Sequence, residues 1–148
     1  MRLALDTNVL AYAEGVNGVQ RRDRAIGLVQ RLPPENVIVP AQVLGELFNV
    51  LVCKAGRTRG EARDAVLAWQ DSFAVIETAS ATFVTATDLA ADHAFGIWDA
   101  VILAAASHAS CRLLLSEDLQ DGFTWGGVTV ANPFAAEVHP LFAAALAG

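Results

Sequence analysis

Four carboxylates in this chain fall where an acid is hard to dismiss. Asp6 closes the apolar run at the start of "LALDTNVLAY", and Glu46 sits inside "PAQVLGELFNVL". Asp99 opens the apolar stretch "WDAVILAAA", and Asp118 follows "RLLL" within "LLLSEDLQDG". Singly, three have ordinary explanations: Asp6 suits a helix cap, Asp99 a helix dipole, Asp118 a turn. Glu46 does not. Val43 and Val50, at i−3 and i+4, put it on the shoulder of an apolar stripe with no Lys or Arg within one turn, where a carboxylate needs a partner. Gathered together, the four would repel and lose hydration unless a cation held them. Oxygen-only donors suit Mg²⁺ or Mn²⁺ rather than zinc or copper. Such an ion activates water and stabilises the departing oxygen in phosphodiester hydrolysis.

The intervening elements predict that the four do gather. Short, uniformly apolar strands are expected at residues 2–5, 36–40, 73–77, 112–115 and 128–132. Helices are expected over about 8–14, 20–32, 41–56, 58–70, 80–94 and 98–110, with Pro33 and Pro34 ending the second and Thr58 with Glu61 forming a capping box for the fourth. No element is assigned beyond Asn132. Apolar strands alternating with helices mark a parallel sheet covered on both faces. The predicted fold class is therefore α/β, a three-layer α/β/α sandwich with a central, mainly parallel sheet. In such a sheet every strand ends at one rim and the following helix starts there, so Asp6, Glu46, Asp99 and Asp118 are placed at the rim where open α/β folds bind ligands.

Composition agrees with a packed globule. Of 148 residues, 54% are hydrophobic and 18% charged, which excludes disorder and fits a single domain over residues 1–148. No apolar run approaches the length of a membrane span, and the N-terminus meets an acid too early for a secretory signal; a soluble, cytoplasmic protein with no membrane partner is expected. Cys53 and Cys111 lack zinc-ligand spacing and read as two buried small hydrophobes. The net charge is −6, yet nine of the ten basic residues lie at or before Arg63. Two basic patches, "QRRDR" and "CKAGRTRGEAR", fit either a solvated helix face or a nucleic-acid contact.

Taken in order, these four acidic stretches and the trailing "NPF" resemble the PIN domain, and within it the VapC-like toxin branch of bacterial toxin–antitoxin systems. The resemblance covers essentially the whole chain. It implies a metal-dependent endoribonuclease that cuts single-stranded or looped RNA with one or two Mg²⁺ or Mn²⁺ ions, leaving 5′ phosphate and 3′ hydroxyl ends. Asp6, Glu46, Asp99 and Asp118 match the metal-binding acids. Thr7 would hold a water or Asp6 itself, Asn8 would order the loop, and Ser116 would support the last acid. Glu117 and Asp121 would assist or replace Asp118. Arg21, Arg22, Arg24, Arg57 and Arg59 are candidate RNA phosphate contacts. A homodimer and an antitoxin partner are also implied. Two rival readings stand beside this one: a phosphatase with Asp6 as strand-end nucleophile, although Asn8 occupies the position where that chemistry wants a second Asp, and a non-catalytic module using the acidic rim to hold a basic peptide.

Overall fold

The computed structural model describes residues Met1–Gly148. Six strands form one sheet: β1 (Leu3–Leu5), β2 (Val37–Pro40), β3 (Ala74–Ile76), β4 (Leu113–Leu115), β5 (Thr124–Trp125) and β6 (Val128–Ala131), in the order β3-β2-β1-β4-β6-β5. All pairings are parallel except β5 with β6. The helices are α1 (Thr7–Ala13), α2 (Val19–Arg31), α3 (Ala41–Cys53), α4 (Arg59–Ser72), α5 (Ser80–His93), α6 (Ile97–His108) and α7 (Pro140–Ala147).

Local chemistry explains the pattern. The inner strands β1, β4 and β6 are buried along their whole length, as a sheet covered on both faces requires. Pro40 ends β2 and caps α3, where its missing N–H costs nothing. The capping box of α4 is formed: Thr58 Oγ1 accepts from Glu61 N at 3.1 Å, and Thr58 N donates to Glu61 Oε1 at 3.0 Å. Helix α6 is buried from Ala100 to Ala106 and packs across β2, β4 and β6; its small side chains let it approach the sheet closely. No single helix is long and apolar enough to cross a membrane.

The sequence reading departs from the structure at three places. β5 and α7 were not expected. β5 is two residues long and exists through the Gly126–Gly127 turn, whose positive φ values of 58° and 80° are those of a tight hairpin. α7 starts at Pro140 behind His139, whose Nδ1 accepts from Leu141 N at 3.1 Å. Cys111 is buried as expected, but Cys53 is exposed; it shares the solvent-facing stripe of α3 with Gly45 and Asn49.

The strand order fixes where a ligand would bind. The chain runs outward from β1 to β2 and β3, then returns past β1 to lay down β4. The direction of winding therefore switches between β1 and β4. A crevice outside the carboxyl ends of the strands is expected at that switch point. Asp6 follows β1 there, and Ser116 to Asp118 follow β4.

Candidate functional site

Asp6 is only 4% exposed. The parallel ladder extends one step past β1: Asp6 N donates to Leu115 O at 3.0 Å, so the carboxylate is held by the sheet itself. It also caps α1, accepting from Thr7 N at 2.7 Å on Oδ1. Oδ2 accepts from Ser116 Oγ at 2.6 Å and from Asn8 Nδ2 at 3.3 Å. Ser116 is wholly buried, and its Oγ in turn accepts from Asp118 N and Leu119 N at 3.2 and 3.3 Å. The Asn8 amide stitches the two strand ends together. Its Nδ2 also donates to Asp118 Oδ2 at 3.2 Å, and its Oδ1 accepts from Glu117 N at 3.2 Å. Thr7 Oγ1 donates to Glu46 Oε2 at 2.8 Å. The partner that Glu46 needs is therefore a hydroxyl, and the Thr7 side chain serves Glu46 while its backbone serves Asp6.

The electrostatics agree with this crowding. Burial pushes the Asp6 carboxyl from 3.8 to about 6; the bonds from Ser116 and Thr7 restrain the rise, and the Asp99 and Glu46 charges add to it. Glu46 is raised by burial and then by Asp99 and Asp118, against the pull of Thr7. Asp99 is raised by burial and by Asp118. Asp99 and Glu46 thus act on Asp6, and Asp118 acts on both of them. None enters an ion pair, since the pairs of the chain join Arg21 to Glu117, Arg22 to Asp23, Arg57 to Glu14 and Arg63 to Asp64. As the side chains stand, no three of the acids close on a single point. The side chains available here are oxygen donors with no Cys or His among them, the donor type that suits Mg²⁺ or Mn²⁺ rather than a softer metal.

A family model of the PIN domain matches residues 3–121. The chain belongs to the PIN domain family. All four acids lie inside the matched range. Among solved structures, this PIN domain is similar to Mycobacterium tuberculosis VapC20, described as a sarcin-ricin loop cleaving toxin: identity is 20%, TM-score 0.66, covering 78% of this chain and 89% of that one. It is similar to a toxin–antitoxin complex from Klebsiella pneumoniae, at 20% identity and TM-score 0.66 over 90% of this chain and 98% of that one. It is also similar to FitAB bound to a DNA fragment, at 21% identity and TM-score 0.68 over 93% and 99%. At such identities the likeness is one of fold. Curated protein sequences give no significant match.

Other residues of this PIN domain take different places. Glu117 turns away from the acids. Its carboxylate accepts from Tyr12 Oη at 2.7 Å and from Arg21 Nη1 at 2.7 and 3.0 Å. Burial pushes Glu117 up, but Tyr12 and Arg21 outweigh it and hold the group below its ordinary value. Asp121 accepts from Asn132 N at 2.9 Å and ties down the loop ahead of β5. Both acids are thus engaged in structure rather than standing beside Asp118. Arg24 donates to Phe134 O at 3.0 Å and lies over the Phe134 ring. Arg57 is committed to Glu14, which also accepts from Trp69 Nε1 at 3.0 Å. Arg22 reaches only its neighbour Asp23, and Arg59 is exposed on α4.

A cleft of about 400 Å³ opens from the acids between α1 and α3, lined by Thr7, Asn8, Glu46 and Asp118 at one end and by Tyr12, Asn49 and Lys54 farther along. Tyr12, Asn49 and Lys54 were not singled out from sequence. The signal was present: Tyr12 lies four residues after Asn8, and Asn49 and Lys54 lie three and eight after Glu46, all at helical spacing.

Proposed function

We propose that this PIN domain is a divalent-metal-dependent endoribonuclease acting on single-stranded or looped RNA, and the toxin of a toxin–antitoxin pair. The observation that carries the reading is Asp6: a carboxylate 4% exposed, at the sheet's switch point, raised by the charges of Asp99 and Glu46 and paired with no Lys or Arg. Such a group is costly unless it serves a positive ligand. The printed descriptions of the fold neighbours, an RNA-loop-cleaving toxin and toxin–antitoxin complexes, support the substrate and partner classes.

Asp6, Glu46, Asp99 and Asp118 would hold Mg²⁺ or Mn²⁺, which when bound supplies an activated water and charge stabilisation at the phosphoryl oxygens. The chain's own residues do the rest. Ser116 and the Thr7 amide fix both oxygens of Asp6, so its orientation needs no adjustment when charge builds up. Asn8 sets the spacing between Asp6 and Asp118. Glu46 keeps Oε2 on Thr7, which fixes the carboxylate and leaves Oε1 free to face the ion or the water. The products would carry 5′ phosphate and 3′ hydroxyl ends. Asn8 gives its amide to two carboxylates and carries no acidic proton, which removes support from the strand-end phosphatase.

The deciding experiment incubates purified protein and its Asp6→Asn variant with total RNA, in Mg²⁺ or Mn²⁺ and in chelator. Cutting by the wild type alone, abolished by chelator, is expected. Equal cutting by the variant, or undiminished cutting in chelator, would overturn the assignment.

A further inference from the structure

The acids account for one end of the cleft between α1 and α3; its other end has no role in the reaction. Ala11, Val16 and Val50 give that end an apolar lining, and Asn17, Asn49 and Lys54 provide its polar groups. Lys54 is the single lysine of the chain and makes no ion pair, whereas neighbouring Arg57 is locked to Glu14. It caps α3 with its backbone N–H on Val50 O, so its position is set by the helix. Eight residues separate it from Glu46, about 12 Å along the helix axis. Asn49 uses Oδ1 on Cys53 Sγ at 3.4 Å, leaving its amide donors free. Asn17 is held in a left-handed turn at φ 66°.

An acidic end for a metal and the reacting phosphate, an apolar middle, and an unpaired cation about 12 Å beyond it suit a short length of nucleic-acid strand. A single ammonium suits a phosphate as a point charge. We infer that this cleft is a strand-binding groove in which Lys54 holds a phosphate flanking the scissile one, while Asn17 and Asn49 meet the edge of a base between them. The inference rests on the ribonuclease reading for its substrate class.

Binding of a fluorescently labelled eight-nucleotide single-stranded RNA, measured by anisotropy in Ca²⁺ over a range of salt, tests it without needing turnover. Lys54→Gln should bind about three- to tenfold more weakly, and its plot of log affinity against log salt should be shallower by about 0.7, the loss of one phosphate contact on a single strand. Lys54→Arg should keep the wild-type slope. Calorimetric Mn²⁺ binding should be the same in all three proteins, which separates the groove from the metal site. Identical salt slopes for wild type and Lys54→Gln would overturn the groove even if RNA is cut. Lys54-dependent RNA binding by a wild type that cuts nothing would sink the nuclease assignment and leave the groove standing. No RNA binding by the wild type would remove both.

Discussion

Replacing Asp6 by Asn should make the metal-free protein more stable at neutral pH. Burial raises this carboxyl from 3.8 to about 6. In the unfolded chain the group loses its proton near 3.8; in the folded chain it holds it until about 6. Its unfavourable contribution is therefore absent below about pH 4, grows between pH 4 and 6, and is complete above. At 1.36 kcal/mol for each pH unit, the full amount is about 3 kcal/mol. Asp6→Asn removes the charge but sets an N–H against the Asn8 amide or crowds the Ser116 hydroxyl, which returns about 1 kcal/mol. A net gain of about 2 kcal/mol corresponds to a Tm rise of roughly 4–8 °C for a chain of this size. Thermal unfolding of both proteins in chelator at pH 4, 5, 6 and 7.5 gives the answer. The difference should be near zero or reversed at pH 4 and widest at 7.5. Adding Mn²⁺ should then raise the wild type's Tm and leave the variant's nearly unmoved. A variant less stable than wild type at pH 7.5, or a difference flat across this range, would refute the claim that Asp6 is an unmatched buried charge.

Three further outcomes follow from the same geometry. Ser116→Ala removes the 2.6 Å bond that restrains Asp6, so Mn²⁺ affinity at pH 6.5 should fall about 10-fold or more by calorimetry, and less at pH 8. Glu117→Ala should change Mn²⁺ affinity less than twofold, in contrast to a drop of at least about 10-fold for Asp118→Ala, because Glu117 faces Tyr12 and Arg21. Gly126→Ala places a Cβ 2.6 Å from Ser107 Oγ at φ 58° and should cost about 1–3 kcal/mol in urea unfolding; Ser107→Ala in the same chain should recover part of it.

The parallel strands were legible because each is a short, mostly apolar run, and Asp6, Asp99 and Asp118 stood out because each follows a strand or lies in the first turn of a helix; Glu46, in the second turn of α3, stood out by its apolar flanks. What sequence spacing leaves open is direction. Glu117 lies between two site residues, but the chain turns there around the Ser116 hydroxyl, so Ser116 reaches Asp6 while the Glu117 carboxylate goes to Tyr12 and Arg21. Cys53 looked buried by its apolar neighbours, but the phase of α3 turns it outward. Ser116 and Asn8 gave no sign of how many bonds they hold, since those depend on β1 lying beside β4, and strand order is a property of the whole sheet. α7 and β5 owe their existence to a single cap and a single glycine turn, signals too local to stand out.

The return of the chain past β1 also orders events in time. β4, which supplies one neighbour of β1 and leads into the hydroxyl that holds Asp6, is made more than a hundred residues after Asp6. At 5–20 residues per second, a growing polypeptide spends roughly 6–20 s with Asp6 translated and no β4 to complete the rim. The rim of this domain is therefore assembled only after translation has passed the fourth acid, however early its first acid is made.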